Sequence, residues 1–205
     1  MMLQFTRPTP ETIAAYVAAR KDQEWTYDFS KLAADEAPKG YKVDHRRVAI
    51  GHGPADFAAA RRAIEQWRCG DLGWVFLAPD DHPPEVGHVV AVVAKSLGLW
   101  WMNACRVRSV LDETDPHPRY GFAHGTLHDH IGRGEERFLV EMTPDGTVWY
   151  DLRAYSKPSK WFSRAGYWFM WGKQRQFGHD SCAAMTAIVA AARTNAPASP
   201  PATAP

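Results

Sequence analysis

The chain holds 205 residues, enough for one well-filled domain and too few for two comfortable ones, and 45% hydrophobic with 23% charged residues excludes wholesale disorder or a fibrous repeat. Lys plus Arg number 24 against 23 Asp plus Glu, so no general basic field exists to hold a polyanion, and nucleic acid is not expected as a partner. Nine Trp and an aromatic share of 12% exceed what packing alone requires and imply a broad apolar surface that is lined or covered.

Thr9-Pro10-Glu11 reads as an N-cap, a first-turn proline and an acidic residue suited to the helix dipole. Ile13, Tyr16, Val17 and Arg20 follow at helical spacing, so a short helix opens the chain. Asp35 to Gly40 is turn-like, and Tyr41 to Ile50 interleaves β-branched residues with charge, as in an edge strand. Pro54 starts a second helix with Phe57, Ala60, Ile64 and Trp67 on one face, Arg61, Arg62, Glu65 and Arg68 on the other, and Gly70 as its stop.

From Leu72 to Ser156 the pattern becomes strands separated by turn chemistry: Gly73 to Ala78, Gly87 to Ala94, Leu99 to Met102, Cys105 to Asp112, Tyr120 to Leu127, Glu136 to Thr143 and Thr147 to Ser156. Asp80-Asp81-His82-Pro83-Pro84, Asp115-Pro116-His117-Pro118 and the hairpin signal Pro144-Asp145-Gly146 divide them, which predicts an antiparallel meander of largely sequential order. Trp161 to Ala192 reads as one long helix, with Phe162, Ala165, Phe169, Phe177, Ser181, Met185 and Ile188 near one face and Gly166, Gly172 and Gly178 as points of weakness. Residues 1–193 form one expected domain. Thr194 to Pro205, built of Pro, Ala, Ser and Thr with one Asn, is expected to be a disordered tail.

Cys69, Cys105 and Cys182 are odd in number and widely spaced, so reduced thiols and a cytoplasmic location are expected rather than a disulfide framework. The N-terminus reaches Arg7 and Pro8 before an export signal can develop, and the longest apolar runs are interrupted by charge and glycine or too short to span a bilayer.

An antiparallel sheet followed by one long apolar helix buries both by curving the sheet around the helix, an arrangement that leaves space between the layers. The expected class is therefore α+β. Tyr41-Lys42-Val43-Asp44-His45, Leu72-Gly73-Trp74-Val75, Asn103-Ala104-Cys105-Arg106-Val107, Tyr120-Gly121-Phe122-Ala123-His124-Gly125-Thr126-Leu127, Gly134-Glu135-Glu136-Arg137-Phe138 and Val148-Trp149-Tyr150-Asp151-Leu152 resemble the DUF1990 family in the same order. The resemblance implies a helix-grip fold of the START, SRPBCC and polyketide-cyclase type, a curved antiparallel sheet of about six to seven strands gripping the C-terminal helix around an apolar ligand cavity. A plant relative associated with the chloroplast outer envelope adds peripheral membrane contact as a further expectation. Where the family usually carries Tyr and Pro, this chain has His124 and His128, whereas His130 and Glu135-Glu136 match the pattern.

His124, His128 and His130 share parity and would project from one face of an unbroken strand, but Gly125, Asp129 and Gly132 bend the segment, so no metal site is expected. Glu135 and Glu136 point to opposite faces, and Glu136 faces inward if Phe138 and Val140 do, available as a polar anchor or a general acid. Arg106, Arg108, Glu141, Asp151 and Arg153 fit cross-strand pairs on the outer sheet surface better than an anion site. Trp161, Trp168 and Trp171, with Phe162, Tyr167, Phe169 and Met170, ring the start of the last helix, either covered by the first helix or facing a pocket, a second subunit or a membrane. Cys182 lacks a base at the right spacing for a nucleophile, and Gly132-Arg133-Gly134 lacks phosphate-loop spacing.

The expected ligand contacts are Trp101, Phe122, His124, His130, Glu136, Phe138, Tyr150, Phe162 and Phe169, with no cofactor and no metal. The leading expectation is a binder of a hydrophobic or aromatic small molecule or a lipid. The alternatives are an enzyme of cyclase, hydratase or hydrolase type using Glu136, His130 or Tyr150 for proton transfer, and a membrane-surface or partner-binding protein.

Overall fold

The computed structural model describes residues 1–26, 39–78, 82–158 and 166–194, the side chain of Tyr167 excepted. The expected ligand contact Phe162, the neighbouring Trp161 and the tail after Thr194 lie outside the described residues. The elements are β1 (Met2–Gln4), α1 (Pro10–Ala18), β2 (Lys42–His52), α2 (Gly53–Glu65), β3 (Val75–Ala78), β4 (Val89–Ser96), β5 (Leu99–Glu113), β6 (Arg119–Thr126), β7 (Gly132–Met142), β8 (Thr147–Pro158) and α3 (Tyr167–Thr194). The fold is α+β: a curled antiparallel sheet in the order β2-β8-β7-β6-β5-β4-β3, with β1 added against β5, packed on the long helix α3.

The meander from β3 to β8 is sequential, as its turn chemistry predicts. In the β4–β5 turn Leu97 and Gly98 both take positive φ, 54° and 76°, the combination a two-residue hairpin demands. At the β7–β8 turn the Asp145 carboxylate accepts from the Thr143 hydroxyl at 2.6 Å and from the Thr147 N–H at 3.2 Å. Two features depart from the expected order. β2 pairs with β8, so the first long strand closes beside the last, and Leu99 to Glu113 is one strand rather than two. That strand carries a bulge between Val107 and Ser109, which ends the shared parity of Arg106 with the residues beyond it.

The second helix stops at Glu65, before the expected Gly70. Trp67 itself takes the left-handed conformation, φ 59°, held there by burial, by an edge-on contact with Phe122 at 4.8 Å and by its indole N–H donating to the His82 carbonyl at 2.8 Å. Gly70 serves packing instead, since a Cβ there would lie 2.5 Å from Leu77 Cγ.

Register sorts the side chains. Val107, His124, Glu136 and Ala154 align across neighbouring strands on the concave face, as do Val110, Phe122, Phe138 and Leu152. On this face α2 supplies Ala60, Ala63 and Ile64, and α3 supplies Phe177, Cys182, Met185 and Val189, to one buried cluster with Phe122, Phe138, Tyr150 and Leu152. Ser181 stands within that stripe. Its hydroxyl donates to the Cys69 carbonyl at 2.6 Å and accepts from the Tyr150 hydroxyl at 2.8 Å, a relay without exposure to solvent. α3 runs unbroken through Gly172 and Gly178, the points of expected weakness. Gly178 permits close approach, because a Cβ there would meet Arg46 Nε at 2.6 Å.

The convex face of β4 and β5 is also buried. Tyr16 and Val17 of α1 cover Val89, Ala91, Val93, Trp100 and Met102, and the Tyr16 hydroxyl donates to the Met102 carbonyl at 3.0 Å. The near-continuous run Val89-Val90-Ala91-Val92-Val93 thus belongs to a strand covered on both sides. α1 therefore lies across the sheet from the aromatic start of α3 and does not cover it, which corrects one of the two expectations for those rings. Farther along the convex face, Asp151 is 4% exposed and pairs with His45 and Arg137, both at 2.8 Å, while Arg47 pairs with Glu141. Burial would raise the Asp151 carboxyl, but its hydrogen bonds from His45 and Arg137 outweigh this and hold it below the usual carboxylate range. Arg106 donates to backbone carbonyls of Arg20 and Lys21, so its guanidinium serves the chain that follows α1.

Ser181→Ala removes the middle of the relay and strands the Tyr150 hydroxyl and the Cys69 carbonyl. It is expected to lower stability by about 1–3 kcal/mol, read as a lower urea midpoint at unchanged slope. An unchanged midpoint would show that the relay does not hold α3 in place.

Candidate functional site

The buried stripe of α3 begins at Phe177, and the turns before it stand away from the sheet. Between those turns and the concave faces of β3 to β8 lies a cavity of about 560 Å³. Its walls are mainly apolar: Val75, Leu77, Val92, Ala94 and Trp101 from the sheet, Phe169, Met170, Trp171 and Phe177 from the helix. This volume falls in the range of about 300–1,000 Å³ of small-molecule sites.

A small polar group interrupts the apolar wall. His124 projects inward from β6 with a side chain 4% exposed, and Glu136 faces it from the paired position on β7, with His124 Nε2 3.6 Å from Glu136 Oε2. The other carboxylate oxygen accepts from Gln174 Nε2 at 2.9 Å, so the helix reaches down to the sheet here. His130, past the end of β6, also lines the cavity, and its Nδ1 accepts the Gly132 N–H at 2.9 Å. Burial pushes the His130 imidazole down to about 4, with the Gly132 carbonyl 3.0 Å from Nδ1, to which a protonated ring would donate, opposing and the nearby His124 adding to the depression. Cys105 lines the same wall, and burial, reinforced by the Glu136 charge, pushes its thiol up, so it stays protonated and is not a nucleophile.

Of the sequence-predicted contacts, Trp101, His124, His130, Glu136 and Phe169 line the cavity together. Phe122 and Phe138 stack at 4.8 Å in the core beneath it, and Tyr150 lies deeper still with its hydroxyl in the Ser181 relay; these three do not reach the cavity wall. The Tyr150 hydroxyl is bonded to Ser181, and burial raises it well above its ordinary value. His128 is exposed on the bend after β6. Among the described residues no three His, Cys, Asp or Glu side chains converge as metal ligands. Glu135 points to the other face, 3.6 Å from Arg108.

Sequence reasoning missed Gln174, Asn103 and Thr126. Gln174 was in principle visible, because it stands three residues before Phe177 and so one turn up the same helical face. Asn103 and Thr126 were hidden by strand context: Asn103 Oδ1 accepts the Ile131 N–H at 3.3 Å, and the Thr126 hydroxyl accepts the Gly134 N–H at 3.0 Å, both bonds across the bend. Gly134 itself permits close contact, since a Cβ there would fall 1.9 Å from the Tyr155 carbonyl oxygen. That explains the glycine of Gly132-Arg133-Gly134 without a phosphate.

The mouth of the cavity is apolar and exposed. Leu97, at the tip of the β4–β5 hairpin, is 74% exposed and Phe169 45%; Trp168, next to Phe169 on α3 but not part of the cavity lining, is 75% exposed. Lys42 Nζ lies 4.3 Å from the Trp168 ring centre and 5.2 Å from that of Trp171. No helix among the described residues is long and apolar enough to cross a membrane.

Comparison with known proteins places this geometry. Residues 26–184 match the family model described as "Domain of unknown function (DUF1990)". A UPF0548 protein of Dictyostelium discoideum is 30% identical, over 92% of this chain and 96% of its own length. Among solved structures, a hypothetical protein of Helicobacter pylori matches 78% of this chain and 98% of its own at a TM-score of 0.50 and 10% identity, a likeness of fold. The crystal structure of Ara h 8.0201 is similar over 76% of this chain and 100% of its own, at a TM-score of 0.44 and 15% identity.

The depressed His130 has a consequence for acid stability. An unfolded chain protonates this imidazole near 6.5 and the folded chain only near about 4, so between these values the unfolded state binds the extra proton. Its contribution is complete above the unfolded value and is lost as pH falls through the folded one. His130→Asn keeps an acceptor for the Gly132 N–H but does not titrate. It is expected to flatten the fall of the urea midpoint across that pH window, and equal slopes would assign the acid sensitivity to other groups.

Proposed function

This chain belongs to the DUF1990 family, and from that premise we propose that it binds an apolar small molecule or a lipid tail between α3 and the concave face of its sheet. The observation that carries this reading is the cavity of about 560 Å³ with mainly aliphatic and aromatic walls. An apolar void of that size in contact with solvent gains free energy when an apolar ligand displaces its water, at roughly 25 cal/mol per Å² covered. Among its polar lining residues His124, Glu136 and Gln174 stand together, with His130 nearby, a cluster that would orient a ligand within mainly apolar walls.

The test is a titration with the neutral probe N-phenyl-1-naphthylamine, followed by fluorescence and by native mass spectrometry. One probe per chain is expected. Ala94 lies on the cavity wall, and Ala94→Phe projects a ring into the space; it is expected to weaken binding at least about ten-fold while thermal unfolding stays cooperative. Equal affinity in the variant would place the probe elsewhere.

The exposed rim favours a second reading, in which the mouth meets a lipid surface and the ligand enters from it. Leu97, Trp168 and Phe169 supply the apolar contact and Lys42 a cation beside the indoles. The chain is expected to float with vesicles of mixed neutral and anionic phospholipid, and Trp168→Glu is expected to abolish flotation. Failure of the unaltered chain to float would remove this reading and leave the cavity reading standing.

A further inference from the structure

We infer that the polar group in the cavity is a hydroxyl anchor, and that the ligand is an apolar body carrying a terminal alcohol or phenol that bridges His124 and Glu136. The inference rests on the cavity reading above and adds the chemical class of the ligand.

His124 is the observation that asks for a partner. The residue is 3% exposed, yet among the described residues its Nδ1 has no hydrogen-bond partner, and its Nε2 stands 3.6 Å from Glu136 Oε2, beyond hydrogen-bonding distance. Its ring is otherwise enclosed by aromatic edges, Phe122 at 5.8 Å and Phe138 at 5.5 Å between centres. The unpartnered Nδ1 shows that the ring's desolvation is not recovered within the fold, and Nε2, on the Glu136 side, is the atom at which a ligand can recover part of it.

The spacing of the two side chains selects that group. Two atoms 3.6 Å apart can both reach one oxygen at about 2.8 Å from each, so a single atom fits between them. It must accept from an Nε2–H and donate to a carboxylate. A hydroxyl does both. A ketone or ether oxygen accepts only and would face Glu136 Oε2 with a lone pair, and a carboxylate would place like charges together. Gln174 strengthens the choice: its amide donates to Glu136 Oε1 at 2.9 Å and so orients the carboxylate, leaving Oε2 toward His124. Trp101, Met170 and Phe177 line the remaining walls with apolar surface for the ligand's body.

The experiment compares three ligands of one shape on the unaltered protein: 2-naphthol, 2-methoxynaphthalene and naphthalene, by competition against N-phenyl-1-naphthylamine. A hydrogen bond to a charged acceptor contributes about 1.5–3 kcal/mol, so 2-naphthol is expected to bind roughly 10- to 100-fold more tightly than its methyl ether. In His124→Phe and in Glu136→Leu the ratio is expected to collapse to within about three-fold, while naphthalene affinity is kept. If the naphthol and the ether bind the unaltered chain equally, the anchor is wrong and the cavity reading survives. If none of the three binds, the cavity reading falls and takes the anchor with it. The comparison among ligands decides the matter even where a substituted chain fails to fold.

Discussion

A helix laid across a curved sheet can follow the curve only over part of its length, and in this chain the part it follows is fixed by Ser181. The hydroxyl of that residue joins Tyr150 on β8 to the carbonyl of Cys69, and Phe177, Met185 and Val189 seal the contact on either side. The turns of α3 before Phe177 lie beyond this packed stretch, and Phe169, Met170 and Trp171 on them line the cavity over the sheet.

The same geometry explains why the polar residues inside are few and specific. Inward positions along β6 and β7 read Phe122 and His124, Phe138 and Glu136, so one step along the strands separates a packed core from a polar pair. Below the step, α2 and α3 fill the space with apolar side chains, and above it Gln174 reaches down to the Glu136 carboxylate. A buried imidazole beside a partly buried carboxylate at that boundary costs desolvation that the apolar core below it does not. The outer face shows the contrast: Asp151 is as buried as His124, but its oxygens are bonded to His45 and Arg137.

Much of the architecture was legible in the residues. Alternation and turn chemistry predicted the meander, Thr9-Pro10 the first helix, and the Pro144-Asp145-Gly146 signal the last hairpin. Parity along β7 placed Glu136 inward and Glu135 outward, because neighbours on a strand cannot share a face. What was not legible was non-local. β1 is three residues long and draws its stability from β5, the merging of two predicted strands into β5 depends on pairing from both sides, and the stop at Trp67 depends on Phe122 and His82 holding an indole in a conformation that its own sequence disfavours.

The sequence by itself determined the three helices and most strands of the meander, and which residue types could line a cavity, since these follow from periodicity and the chemistry of single residues. Only the tertiary structure decided which of those residues meet. Phe122, Phe138 and Tyr150 carry the same inward parity as His124 and Glu136, yet they lie under the helix while the polar pair lies beyond its anchor. That division depends on where α3 touches the sheet, and so on a contact between Ser181 and Tyr150 separated by 31 residues, a distance over which no local pattern carries information.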